Sequence, residues 1–449
     1  MRTTGKRSIV LYILLFAFLF GMGFLTYKVY TEGEDYISHG YNGHIYAEDA
    51  VVDLGKITDR NGIVLFESKD GYKTYSENYN VRLSTLHTIG DKSGYIGTSL
   101  LLNSFSDITG YNFFTGLNEL PFDAFGTKNL KLTIDAQLNA AAYEALGGKS
   151  GAVLLCNYKT GEIYCKVSAP TYDPMNTPED ILTNEYYDGV FLDNTISSNY
   201  TPGSIFKIVT ALSSIENFRD YEDRTYVCEG EMYIGDSKVT CLGYHGELDL
   251  ASAMGYSCNI YFANLALDLG EEKLQATAEK LGFNEKLSFN GMGMAKSDAK
   301  LERASKEELA WSSVGQYTIS ANPMHMLMLT SAIANGGTCS SLYVSEKDSG
   351  TGEKEFMSKK EAEIIGSILR ETVEYYYGDY LFDGMNVAAK TGTAEVGGDK
   401  KPNAWMVGFS QNESTPYAFV VIMEDAGSGI GNAGNLASII MNMAKDKGL

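Results

Sequence analysis

Ser204 and Lys207 stand three positions apart in the run Thr201-Pro-Gly-Ser-Ile-Phe-Lys207. A serine hydroxyl is a weak nucleophile until a base lies within hydrogen-bond reach. On a helix, residues i and i+3 share a face about one turn apart. A helical reading therefore gives Ser204 its base. Lysine serves as a base only when neutral, which needs burial or a second positive charge nearby. Ile205, Phe206, Ile208 and Val209 supply the apolar setting. Thr201 reads as a cap and Pro202 as the first position of a helix over 202–215. A serine at that helix start also sits beside unpaired backbone N–H groups and the positive dipole end, which stabilise a developing oxyanion. The chemistry implied is acyl transfer through an ester on Ser204.

Two further motifs fit that chemistry. In Ser257-Cys-Asn259 the serine could relay a proton and the amide could hold a substrate amide. In Lys390-Thr-Gly-Thr393, Lys390 adds positive charge and Gly392 admits a close backbone approach. Thr391 and Thr393 offer hydroxyls, and Thr393 an N–H. Each motif has competitors. Ser297-Asp-Ala-Lys300 repeats Ser-x-x-Lys, but its setting is polar and it reads as surface. Ser-x-Asn recurs at Ser76, Ser197, Ser288, Ser320 and Ser410, and Lys159-Thr-Gly161 reads as a hairpin turn. Only Ser204, Ser257 and Lys390 run in the order nucleophile, relay, strand motif with fitting local contexts.

These residues need elements to hold them. Lys131–Asp135 reads as a strand, and Asp135 as the cap of a helix over 136–146 that Gly147-Gly148 stops. Segments 151–156 and 162–168 read as a hairpin around Thr160-Gly161. Helices are expected over 249–269, 271–281, 305–312, 322–335, 358–373 and 434–447, and strands over 387–393, 404–409 and 417–423. The pattern is α+β: a sheet completed by both ends of this region, with a helical insertion between. Residues 31–130, rich in Gly, Tyr, Asn and Ser, read as short strands and turns.

Ser8–Tyr27 is twenty residues without a charge. At about 1.5 Å per residue such a helix spans the roughly 30 Å hydrocarbon layer. Arg2, Lys6 and Arg7 precede it, which predicts an N-terminus held in the cytoplasm and the rest outside. No small-x-small cleavage site follows, so a retained anchor is expected. The chain carries 57 acidic against 36 basic residues, a net charge of −21. No basic stripe is available for nucleic acid. Six cysteines lie beyond the anchor, where disulfides can form. Cys228 with Cys241, and Cys156 with Cys165, are candidate pairs, with reduced buried thiols the alternative. No cysteine or histidine spacing resembles a zinc site, and no metal or cofactor is expected.

Ser-x-x-Lys, Ser-x-Asn and Lys-Thr-Gly together are the signature of penicillin-binding proteins and serine β-lactamases. The resemblance extends to Leu132–Leu138, Lys159–Ile163, Thr201–Lys207, Gly315–Pro323, Ala334–Gly337 and Ala404–Phe409, in order. Upstream, Gly55–Gly62 resembles the start of a class B pedestal domain, with Leu54 where the family usually has Arg. The chain thus resembles a compact class B penicillin-binding protein. This implies a cytoplasmic tail (1–7), a transmembrane anchor (8–30), a short β-rich pedestal (31–130) and a transpeptidase domain (131–449). That domain is an antiparallel sheet flanked by helices, with an all-helical subdomain.

The resemblance also implies the chemistry. Ser204 would attack the penultimate D-Ala carbonyl of a peptidoglycan stem peptide, with Lys207 as base. Ser257 and Lys390 would complete the proton path. The N–H groups of Ser204 and Thr393 would form the oxyanion hole, and Asn259, Thr391 and Thr393 would position the substrate. β-Lactams would acylate Ser204, and a polytopic membrane glycan polymerase is an implied partner. The Glu-x-x-Leu-Asn of class A β-lactamases is absent between the second and third motifs, and so is the His-Glu-x-x-His of a protease-coupled sensor. A D,D-carboxypeptidase and a non-catalytic sensor or scaffold remain the alternatives to a transpeptidase.

Overall fold

The computed structural model describes residues 2–38, 54–69, 72–104, 107–108, 129–350, 352–398 and 400–449. Within 31–130, residues 39–53, 70–71, 105–106 and 109–128 lie outside the described residues; the described part holds short strands but also a helix, Tyr79–Ile89, where only strands and turns were expected. The chain divides into two units by contact. The first comprises Met1–Ile57, Phe66–Thr74 and Ile89–Leu130. It contains helix α1 (Arg2–Ser38), in which Arg7–Gly33 is long and apolar enough to cross a membrane.

The second unit gathers Thr58–Leu65, Tyr75–Thr88 and Lys131–Leu449. The two early segments are held there by polar contacts. Asp59 accepts the N–H groups of Asn61, Ile63 and Ala136, and Arg82 forks onto both carboxylate oxygens of Asp173 at 2.8 and 2.7 Å. Helix α2 (Ala136–Leu146) starts where Asp135 accepts the Leu138 N–H, and it ends at left-handed Gly147. The expected strand before it is confined to Leu130–Lys131. Thr133 instead donates its N–H to Val344 and its hydroxyl to Ile163, so this stretch bonds irregularly.

Strands β1 (Gly151–Asn157) and β2 (Ile163–Ala169) form the hairpin. A bulge at Leu155/Cys156 pairs Leu155 with Cys165 and Cys156 with Ile163. This separates the candidate pair. Cys165 joins the apolar cluster on one face of the sheet, and Cys156 Sγ lies 3.4 Å from the Ser331 hydroxyl elsewhere. One extra residue sends the two side chains to opposite faces, so Cys156–Cys165 cannot bridge.

The helical insertion follows: α3 (Lys207–Asn217), α4 (Leu250–Gly255), α5 (Asn259–Leu269), α6 (Glu271–Lys280), α7 (Lys306–Ser313), α8 (Pro323–Ala334) and α9 (Lys359–Thr372). Asn322 caps α8, and capping boxes open α4, α7 and α9. The continuous helix expected over 249–269 is two helices. They break at Ser257, whose φ is +54°. Strands β3 (Val387–Ala394), β4 (Asn403–Ser410) and β5 (Tyr417–Met423), then α10 (Asn435–Lys447), close the unit. The sheet order is β3-β4-β5-β1-β2, antiparallel throughout. Chain-distant segments thus complete one sheet. Helices α2 and α10 cover one face through Leu138, Ala142, Leu436, Ile440 and Met441. Helix α8 packs on the other, and α9 on β3. Every position of β4 and β5 is buried, as a sheet covered on both faces requires.

Candidate active site

Ser204 sits in a short 3-10 turn, Gly203–Phe206, that leads into α3. The α-helix proper begins at Lys207, five residues later than the sequence suggests. Gly203, at φ +55°, is the reason: a left-handed residue cannot continue a right-handed helix. A Cβ on Gly203 would lie 2.8 Å from the Thr393 carbonyl oxygen. On Gly392 of β3 it would lie 2.6 Å from the Pro202 carbonyl oxygen, and on Gly315 2.1 Å from that of Gly203. Three glycines therefore let three backbones close around the serine. Gly203 donates its N–H to Gly315 at 3.0 Å, and Trp405 Nε1 donates to the Thr201 carbonyl at 3.0 Å. The nucleophile turn is clamped on both sides.

Lys207 is fully buried. Its Nζ lies 3.0 Å from Ser204 Oγ, 3.1 Å from Ser257 Oγ, 2.8 Å from Asn259 Oδ1 and 2.6 Å from the Ser257 carbonyl oxygen. Burial, followed by the charge of Lys390, holds its ammonium well below the usual lysine range. A neutral amine has two N–H groups and one lone pair. The Ser257 carbonyl and Asn259 Oδ1 can only accept, so they take the two N–H groups. The lone pair is left for a hydroxyl, and Ser204 Oγ is within reach of it.

Lys390 is also fully buried, and burial lowers it to about 7. Its Nζ donates to Ser257 Oγ at 3.0 Å, to the Thr391 carbonyl at 3.0 Å and to Tyr377 Oη at 3.2 Å. Ser257 Oγ thus sits between two lysines. The break between α4 and α5 is what turns it there. Cys258 starts the second helix by accepting the Tyr261 N–H, and Ser257 is left in the left-handed turn before it. Asn259 donates from Nδ2 to the Thr240 carbonyl at 2.9 Å, which orients Oδ1 toward Lys207.

The structure brings Ser204, Lys207, Ser257, Asn259 and Lys390 into one bonded network. Thr391 and Thr393 are beside it with other partners: Thr391 Oγ1 is 2.9 Å from Tyr377 Oη, and Thr393 Oγ1 accepts the Gly429 N–H at 3.4 Å. Tyr377 also accepts the Thr391 N–H at 3.2 Å. Sequence reasoning missed Tyr377. It closes a π-helical turn, Val373–Tyr377, beyond α9, and nothing in its run of three tyrosines marks the third.

The competing motifs resolve differently. Ser297 is buried, against expectation. Its Oγ is 2.8 Å from His325 Nδ1 and accepts the Asn322 N–H at 2.9 Å, while Lys300 is exposed beside Asp298. It cannot pair with its lysine. Lys159–Gly161 is the hairpin turn.

Cys228 and Cys241 are not bridged; all six cysteines are free thiols. They do approach, but as part of a group with Cys258 and His245 whose donor atoms all lie within 4.8 Å of one another. Their donor atoms come from separate loops, which spacing alone does not reveal.

A family model, the penicillin binding protein transpeptidase domain, matches residues 151–442. The chain is 26% identical over 342 residues to peptidoglycan D,D-transpeptidase PbpA of Mycolicibacterium smegmatis, covering 68% of this chain and 69% of that protein. It is 28% identical over 384 residues to penicillin-binding protein 3 of Bacillus subtilis, covering 80% of this chain but 55% of that protein. Among solved structures, the D,D-transpeptidase domain of a peptidoglycan glycosyltransferase from Eggerthella lenta superposes with a TM-score of 0.73 at 25% identity. That match covers 89% of this chain and 99% of the other.

Proposed function

Because this chain belongs to the penicillin-binding protein transpeptidase family, we propose that it is a peptidoglycan D,D-transpeptidase that works through an acyl-enzyme on Ser204. One observation carries the reading: buried Lys207 Nζ lies 3.0 Å from Ser204 Oγ, with Ser257 Oγ shared between Lys207 and Lys390. Ser204 Oγ adds to the penultimate D-Ala carbonyl of a stem peptide and passes its proton to neutral Lys207. The N–H groups of Ser204 and Thr393 take the oxyanion. Collapse breaks the peptide bond. The leaving D-Ala amine receives a proton through Ser257, which Lys207 and Lys390 both reach. An amine of a second stem peptide then attacks the ester, the lysine pair takes its proton, and a cross-link forms with Ser204 restored. Asn259, Thr391 and Thr393 hold the substrate backbone.

The same reading makes β-lactams acylating inhibitors. Helix α1 is then a single-pass anchor with the catalytic unit on the extracytoplasmic side, and a polytopic glycan polymerase supplies the strands to be joined. Basic residues before the apolar stretch support that orientation.

Fluorescent penicillin tests the nucleophile. Wild type should label covalently and Ser204→Ala should not; equal labelling sinks the assignment. A stem-peptide assay with and without an acceptor amine tests the acceptor. Amide product in the presence of the amine supports transfer, and free acid alone in both arms makes the chain a carboxypeptidase.

A further inference from the structure

Tyr376 takes no part in the mechanism above, yet its ring lies against the segment that carries Ser257. Helix α4 ends in a Schellman motif. Ser257 donates its N–H to the Met254 carbonyl at 3.1 Å, and Cys258 donates its N–H to the Ala253 carbonyl at 2.9 Å. Such an ending needs a left-handed residue just past the last turn, a place usually held by glycine. Here Ser257 holds it, at φ +54°. A left-handed serine persists only where its neighbours impose it. The same ending aims two groups at Lys207 Nζ: the Ser257 hydroxyl at 3.1 Å and the Ser257 carbonyl at 2.6 Å. Whatever fixes the end of α4 fixes both.

The Tyr376 ring rests on that end. A Cβ on Gly255, the last residue of α4, would lie 2.2 Å from Tyr376 Cε2 and 2.4 Å from its Cδ2. Gly255 is helical, so its backbone admits any residue; the ring is what excludes a side chain. Tyr256, the next residue, meets Tyr376 edge to face with 4.8 Å between centroids. Area burial is a weak reason for this contact, because Tyr256 stays 47% and Tyr376 37% exposed. Tyr377 is held differently: its Oη accepts from Lys390 Nζ and from the Thr391 N–H, each at 3.2 Å. Both tyrosines belong to the π-helical turn Val373–Tyr377, which the Gly378 N–H closes on the Val373 carbonyl at 2.8 Å. Such turns are rare and collect at functional sites. Successive residues of a helical turn point about 100° apart, so one turn presents one ring to α4 and the next to β3. Arg370 Nη1 donates to the Val387 carbonyl at 2.7 Å, which ties the preceding helix α9 to the start of β3.

We propose, on the reading of Ser257 as the proton relay, that Tyr376 is a positioning residue for Ser257. Its ring holds the end of α4 in place while Tyr377, from the same turn, holds Lys390. One turn thereby sets the distance between the relay hydroxyl and its lysine, which is 3.0 Å. Tyr376 touches no reacting atom and acts only through Ser257. Without the ring, Ser257 is free to leave its left-handed conformation and carry its hydroxyl away from the lysines. Lys207 then loses two partners at once. The contact is made by the ring, so phenylalanine should serve in place of tyrosine.

The test uses the full chain in detergent and the rate of acylation by a fluorescent penicillin. Tyr376→Ala should slow acylation about tenfold, the scale of a small misplacement at a reacting group. Tyr376→Phe should stay within about twofold of wild type. Gly255→Ala, which drives the ring off α4 from the other side, should slow acylation about as much as Tyr376→Ala. Ser257→Ala supplies the decisive background. It should itself be slow but measurable, and adding Tyr376→Ala should slow it less than about twofold further, because residues acting through one group are not additive. A merely structural role would lower Tm and slow both backgrounds by the same factor. The inference is overturned if Tyr376→Ala acylates at the wild-type rate, or if its loss is the same with and without the Ser257 hydroxyl. Wild-type acylation by Ser257→Ala overturns the relay reading and this inference with it. A slow Ser257→Ala beside a wild-type Tyr376→Ala overturns this inference alone.

Discussion

Lys390 Nζ donates to Ser257 Oγ at 3.0 Å, across 133 positions of sequence. Lys207 reaches the same hydroxyl from the opposite motif at 3.1 Å. Two buried lysines so close cannot both be charged without strong mutual repulsion. The arrangement favours one neutral amine, which is what a serine nucleophile needs.

Acylation should therefore require deprotonated Lys207. The rate of penicillin acylation should fall as pH drops through the depressed lysine value, along an acid limb well below the ordinary 10.5. Lys390→Met removes a neighbouring positive charge, so the residual limb should move to higher pH. Stopped-flow acylation from pH 5 to 10 measures both, and a limb that stays put uncouples the two lysines.

Lys390 also couples stability to pH. Unfolded, it keeps its proton up to about 10.5; folded, burial lowers that value to about 7. Between these values the unfolded chain binds a proton that the folded chain does not, so stability rises with pH across that window. Below pH 7 the burial penalty is fully present. Lys390→Met should raise Tm at pH 6 by a few degrees, with the gain shrinking toward pH 10.5 and acylation slowed but measurable. Calorimetry at both pH values decides, and a lower Tm at pH 6 refutes the burial penalty.

Tyr377→Phe removes the acceptor of the Lys390 and Thr391 N–H groups. Leaving a buried donor unpaired costs about 1–3 kcal/mol. Acylation is expected to slow about tenfold with the fold intact, since 1.4 kcal/mol is one decade. An unchanged acylation rate would remove Tyr377 from the site.

Gly315→Ala would place Cβ 2.1 Å from the Gly203 carbonyl oxygen, a backbone atom that cannot swing aside. Loss of about 2 kcal/mol or more and of penicillin labelling is expected. Gly384 has a similar φ of +71° but open space around its Cβ. Gly384→Ala should cost about 1 kcal/mol and keep labelling. Denaturant melts and gel fluorescence of the two variants separate steric closure from backbone strain.

Lys166 and Asp193 form a buried ion pair behind the sheet edge, with Asp193 also accepting from Thr195. Burial opposes ionisation of Asp193, but Lys166 and these bonds outweigh it and hold its carboxyl below the ordinary range. Its stabilisation is present above the unfolded carboxyl value and is lost as pH falls through the folded one. Asp193→Leu alone should cost about 3–5 kcal/mol, and adding Lys166→Met should recover most of it. Urea unfolding of the single and double variants measures the difference; an additive double variant refutes the pairing.

Local signals were legible in the sequence. Asp135 and Gly147 bound α2, short apolar runs marked β3 to β5, and the i,i+3 spacing placed Lys207 beside Ser204. These depend on residues within one or two turns of each other, so composition and spacing suffice. The apolar stretch in α1 was equally plain. What the sequence left open depends on which distant segments meet. The bulge that parts Cys156 from Cys165, the break at Ser257 and the place of Tyr377 are set by packing across the sheet and the helical insertion. Periodicity carries no record of those meetings. The same holds for Cys228, Cys241, His245 and Cys258, which lie on separate loops and converge only once the short strands pair and α5 docks. Residue identity supplied the chemistry; tertiary closure alone decided which hydroxyl, amine and thiol face one another.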